Sequence, residues 1–184
     1  MTRPTRTSLP DHGDSADRIL DAARRLLVQV GARRLSLTDV ANLAGVSRPT
    51  IYRYFLSKEE LIDALGNREY RRFNAVMQEA VAGLSGAARL EAAMDVVATF
   101  VEDQPPGRLI DLDPGFAHEQ VAQVLPMITE ALVTVSRSPR DLAGAIARIA
   151  LSHYLFPDPD AKASRREIRA AAGLSSAPLG RVSR

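Results

Sequence analysis

The chain is predicted to be all-α, and three observations predict it. Apolar residues recur three and four apart in run after run, the spacing of one helix face. Gly, Pro and Ser or Asp punctuate those runs where helices stop and start. No stretch alternates apolar and polar residues as a half-buried strand would. With 184 residues and 46% hydrophobic content, the chain has material for one compact helical unit, or for a small head and a larger body.

Residues 1–13, rich in Arg, Thr and Pro, read as a flexible arm. Arg3 and Arg6 either touch a nucleic-acid backbone or groove from there, or have no role. A first helix is expected over Ser15–Val30, with Ile19, Leu20, Ala23, Leu26, Leu27 and Val30 on one face and Gly31 as its stop. Ser36 caps a second helix, answered by Asp39 in a weak capping box. Val40, Leu43 and Ala44 form its apolar stripe, and Gly45 ends it. Ser47 caps a third helix with Pro49 in its first turn, where a missing N–H costs little. Ile51 and Phe55 face inward, which leaves Arg48, Thr50, Arg53 and Tyr54 outward. Ser57 and Glu60 form the S-x-x-E box of a fourth helix.

That fourth helix is expected to reach about Ala82, with Leu61, Ile62, Leu65, Phe73, Val76, Met77, Ala80 and Leu84 at helical spacing. A fifth spans about Ala87–Asp103 and stops at the Pro105-Pro106 pair. Residues 108–114 read as a connection, in which Asp111 and Asp113 shape a turn. A sixth helix runs from Pro114 to about Leu125, and Pro126 breaks or kinks the chain before a seventh segment over 127–135. Ser138, Pro139 and Asp141 read as cap, first position and third position of a helix reaching Phe156. A weak last helix covers about 160–172, and 173–184 read as a disordered tail.

The stretch Ser36–Glu60 is the layout of a helix-turn-helix, which places a side-chain-bearing helix in a DNA major groove. Arg48 and Arg53 suit guanine edges or phosphates, and Pro49 suits a thymine methyl. Ser36, Thr38, Ser47, Thr50, Tyr52 and Tyr54 offer hydroxyls that hold phosphates and fix register. Lys58 stands in a helix first turn, where free N–H groups already favour a phosphate. The division expected is therefore arm 1–13, helix-turn-helix domain 14–58, helical body 59–172 and tail 173–184.

The texture of this segment resembles the TetR family of bacterial transcriptional regulators. The resemblance rests on Asp39, Val40, Ala41, Ala44, Gly45, Val46, Ser47, Thr50, Ile51, Tyr52, Tyr54, Phe55, Ser57, Lys58, Glu59 and Leu61. It covers residues 14–65; beyond them only the general layout agrees. It implies a homodimer on a near-palindromic operator in double-stranded DNA, repression, and release by a small-molecule inducer held in the body. It also implies dimerisation through the last two helices, here 139–156 and 160–172, with 127–136 sharing the task. The last of these is short and carries Arg165, Arg166, Glu167 and Arg169, unlike the long apolar final helix common in the family. For a small apolar or amphipathic effector the lining candidates are Phe73, Met77, Met94, Val97, Phe100, Phe116, Leu125, Ile128 and Tyr154. An aliphatic and Met stripe at helical spacing is more usually plain core.

Charge agrees with a DNA reader. Residues 1–58 carry ten Lys/Arg and five Asp/Glu, net +5, whereas 59–184 carry net −3. With no cysteine there is no disulfide and no thiolate site. No apolar run reaches membrane-spanning length and no secretory leader is evident, so a cytoplasmic protein without membrane contact is expected. His12, His118 and His153 are scattered, and no phosphate loop, nucleophile elbow or zinc motif occurs. No enzyme, cofactor or metal is expected. The alternative kept open is a constitutive DNA-binding dimer without an inducer, whose body meets another protein.

Overall fold

The computed structural model describes residues 12–103, 108–160 and 162–174. Among them every regular element is an α-helix: α1 His12–Arg34, α2 Leu37–Ala44, α3 Arg48–Tyr54, α4 Lys58–Ala80, α5 Gly86–Glu102, α6 Arg108–Leu112, α7 Pro114–Ser136, α8 Arg140–Leu155 and α9 Ala163–Ala171. The arm with Arg3 and Arg6, the Pro105-Pro106 stop and the tail beyond Leu174 lie outside the described residues.

The chain divides into two compact units between Arg68 and Glu69. The sequence-based border lay ten residues earlier, at the start of α4. The difference comes from side chains that α4 lends to the head: Leu61 and Leu65 are buried in its core. Arg68 then binds α1, with Nη2 2.8 Å from the Asp21 carboxylate and Nη1 donating to the Asp17 carbonyl at 3.3 Å.

In the head, α1 packs on α2 and α2 on α3 around Ile19, Leu20, Ala23, Val40, Ala41, Ile51 and Phe55. Gly31 leaves the helical path at φ 78°, so regular helix ends at Val30 as the sequence predicts, and a further turn follows. Leu43 departs from expectation and is 47% exposed. The buried face of α2 is Leu37, Val40, Ala41 and Ala44. At 3.6 residues per turn Leu43 lies roughly 110° round from its centre.

In the body, α7 packs on α8, and α9 lies against α5 and α8. Their shared core includes Met94, Val97, Leu132, Ile146, Ile168, Phe73 and Met77 of α4, and Val81 just past it. Four expectations are corrected here. The 108–114 connection contains α6, since no breaker separates Gly107 from Pro114. Pro126 does not divide the helix: α7 runs unbroken from Pro114 to Ser136. Pro126 and Ala122 are both exposed, so the Ala122 carbonyl that loses its N–H donor faces water. Ser138 does not cap α8; Pro139 occupies the cap position, and the buried Ser138 hydroxyl pairs with Ser136 Oγ at 2.7 Å. Val76 and Leu84 are exposed rather than continuing the α4 stripe, because Phe73, Met77 and Val81 fill the inward positions.

The start of α9 is also later than expected. Asp158 accepts from the Asp160 N–H at 2.7 Å, and Asp160 from the Lys162 N–H at 2.9 Å. Such side-chain-to-backbone turns compete with a helix start at 160, and α9 begins at Ala163.

Candidate nucleic-acid interface

The candidate interface is set by three caps in succession. Ser36 Oγ accepts from the Asp39 N–H at 3.1 Å and donates to the Asp39 carboxylate at 2.6 Å. Gly45 takes φ 65°, the left-handed conformation the turn needs, and Val46 N–H reaches back to the Ala41 carbonyl at 3.0 Å. Ser47 Oγ then accepts from the Thr50 N–H at 3.2 Å. Ile51, fully buried, and Phe55 fix α3 to the head core. The rotational setting of α3 follows from those two anchors.

With α3 so fixed, Ser47, Arg48, Pro49, Tyr52 and Arg53 are exposed, while Ser36, Thr38, Thr50, Tyr54 and Lys58 are half-buried. The structure thus brings Ser47 through Tyr54 onto one short helix and its cap. Ser36 and Thr38 stand at the start of α2, and Lys58 at the start of α4. Two hydroxyls are already engaged with one another, Ser47 Oγ and Thr50 Oγ1 at 2.7 Å.

The Arg53 guanidinium carbon stands 5.5 Å from the Tyr54 ring centroid. That stacking restricts the long side chain before anything binds it. At α4, the Glu60 N–H donates to Ser57 Oγ at 3.1 Å as predicted. The reciprocal bond differs: Glu60 Oε2 accepts from Leu56 N–H at 2.7 Å, one residue ahead of the cap. Backbone hydrogen bonding, then the Ser57 hydroxyl, holds the Glu59 carboxyl below its usual value. Next to it, Lys58 presents the cation at a helix N-terminus.

Arg33 and Arg34, absent from the sequence candidates, are exposed in the last turn of α1 just ahead of the Ser36 cap. The available signal was a basic pair directly before a helix start.

The body candidates distribute differently. Phe73, Met77, Met94, Val97 and Ile128 are buried in the core, and Phe100 and Leu125 pack against it. Phe73 and Phe100 meet edge to face at 5.1 Å between centroids. Phe116 and Tyr154 are half-buried on α7 and α8. His153 Nε2 lies 3.1 Å from Glu167 Oε2, while His118 is exposed. Asp113 caps α7, accepting from the Phe116 N–H at 3.2 Å. Among the described residues no group of three or more His, Asp or Glu could hold a metal ion. Nor is any described helix long and apolar enough to cross a membrane.

The charged face of α9 turns onto α5. Arg165 reaches Asp95 at 3.1 Å and Glu102 at 2.7 Å, and Arg169 reaches Asp95 at 3.2 Å and also Glu91. Hydrogen bonding to Glu102 and to Glu91, respectively, raises the pKa of these guanidiniums further. The arginines that set this helix apart in sequence are therefore spent within the chain.

Residues 19–65 match the family model described as bacterial regulatory proteins, tetR family. An uncharacterized HTH-type transcriptional regulator of Mycobacterium tuberculosis is 39% identical over 92 residues, covering 50% of this chain and 46% of that protein. The HTH-type transcriptional activator FasR of Mycolicibacterium smegmatis is 31% identical over 115 residues, 61% of this chain and 52% of that one. The chain thus spans about half the length of these curated relatives. A solved TetR-family transcriptional regulator from Streptomyces coelicolor superposes with a TM-score of 0.59 at 27% identity, over 86% of this chain and 98% of its own.

Proposed function

We propose, from the membership of residues 19–65 in the tetR family of bacterial regulatory proteins, that the whole chain is a sequence-specific DNA-binding transcriptional regulator. It acts as a homodimer on a near-palindromic operator, and a small molecule bound in the body releases it. The observation that carries this reading is the capped α3, which presents Arg48, Pro49, Tyr52 and Arg53 outward on a helix anchored by Ile51. Arg48 and Arg53 read bases, Lys58, Thr50 and Tyr54 hold phosphates, and Arg34 adds a phosphate contact ahead of α2.

The sign of regulation proposed is repression. One relative is named an activator, so the sign needs its own measurement in a reporter strain. Release requires that the effector bind the non-operator state more tightly by a few kcal/mol.

The test is selection of bound fragments from random DNA by the purified chain at near-physiological salt. Recovery of an inverted repeat supports the reading. Binding without a motif, abolished by salt, counts against it.

A second reading keeps the DNA head but gives the body a protein partner and no inducer. The packing of Phe73, Met77, Met94, Val97 and Ile128 into one core is the observation on its side. A melting temperature raised by any compound of a metabolite panel favours the inducible regulator. A flat response across the panel favours the second reading.

A further inference from the structure

We propose that Arg89 ties the C-terminal ends of α4 and α7 into one cooperative unit, so that neither end opens alone. Arg89 stands in the first turn of α5 and is half-buried. Its Nε donates to the Val135 carbonyl of α7 at 2.6 Å. Its Nη1 donates to the Val81 carbonyl just past α4 at 3.0 Å and to the Leu84 carbonyl at 3.3 Å. Gly83, at φ 71°, makes the turn that brings the last of these back to the same guanidinium.

Three features single this contact out. The last four carbonyls of any helix lack intrahelical donors, and Val135 is one of these in α7, while Val81, one residue past α4, accepts the Leu84 N–H at 3.1 Å and Arg89 as well. Both ends carry partial negative charge, which a cation satisfies, whereas the first turn of α5 by itself disfavours one. The geometry is divergent: donors on different nitrogens of a planar fork serve different helices, which a lysine ammonium cannot reproduce at the same fixed angles. Losing either helix end leaves the guanidinium half-served and weakens its hold on the other.

α4 is the helix whose residues belong to both compact units. A body event that displaces the end of α7 therefore reaches α4 through Arg89. That consequence rests on the regulated reading above; the coupling of the two helix ends does not.

The experiment is amide hydrogen exchange on the full chain, without DNA or effector. Thr134, exposed near the end of α7, is changed to Gly to loosen that end, and Arg89 is changed to Gln or Lys. With Arg89 present, Thr134→Gly speeds exchange about fivefold in residues 133–137 and comparably in 81–84. In Arg89→Gln both ends exchange faster from the outset, and adding Thr134→Gly speeds α7 alone. If Arg89→Gln does not fold, Arg89→Lys carries the comparison, with the transmitted effect reduced. The proposal is overturned if residues 81–84 ignore Thr134→Gly in the presence of Arg89. It is equally overturned if they respond alike whatever stands at 89, or if α9 accelerates to the same extent, which marks opening of the whole body.

Discussion

Ser47 combines two tasks: its hydroxyl accepts from the Thr50 N–H, one of the unpaired donors at the start of α3, and pairs with the Thr50 hydroxyl. Ser47→Ala should destabilise the head by about 0.5–2 kcal/mol, read from urea unfolding. A change within experimental error would show that the cap is not needed to seat α3. Arg48→Ala and Arg53→Ala should each cost about 1–3 kcal/mol at particular base pairs of the selected operator. A loss uniform across all sequences would reassign them as phosphate contacts. Legibility at this scale follows range. Caps are local, so Ser36, Ser47 and Ser57 could be read from spacing alone. The stacking of Arg53 on Tyr54 depends on rotamers, and the exposure of Leu43 on where α1 and α3 lie against α2. Neither is written in a three- or four-residue period.

Among the elements, α7 is where sequence reasoning failed most clearly. Proline inside a helix costs about 3 kcal/mol, and that rule alone breaks or kinks 114–136 at Pro126; the break does not occur. The rule yields because Pro126 faces solvent while Ile128, Ala131, Leu132 and Val135 hold the following turns in the core. Pro126→Ala should therefore stabilise the body by roughly 1–3 kcal/mol, seen as a higher melting temperature. An unchanged or lower value would mean that the proline fits a bend the body requires. The entry to α9 gives a pH prediction. The Lys162 N–H, then Arg166, holds the Asp160 carboxyl below its usual 3.8. Its contribution is present above that value and is lost as pH falls through the lower folded one. Asp160→Asn should lower exchange protection in α9 at neutral pH and reduce the further loss on acidification. If the variant tracked the unmodified chain from neutral pH down to about pH 2, well below the ordinary carboxylate range, the Asp160 turn would have no part in holding α9.

For the whole molecule, the all-α class and the helix-turn-helix were legible because both rest on periodicity and punctuation. The packing partner of α9 was not, since a short arginine-rich helix reads as solvated until Glu91, Asp95 and Glu102 are seen opposite it. What the molecule does as an assembly can be tested through a single side chain. Each phosphate neutralised contributes about 0.9 to the slope of log affinity against log salt. Lys58 is one cation per chain, in the first turn of α4. If two heads engage an inverted repeat, Lys58→Ala should flatten the slope by about 1.8; one bound head would give about 0.9. The difference counts heads on DNA without reference to any interface between chains. It also separates two failures that a plain affinity measurement confuses. A flattening near 0.9 on a repeat-containing fragment would keep Lys58 as a phosphate contact while refuting the dimeric reader. An unchanged slope would remove Lys58 from the interface and leave the number of heads to be counted through Arg34.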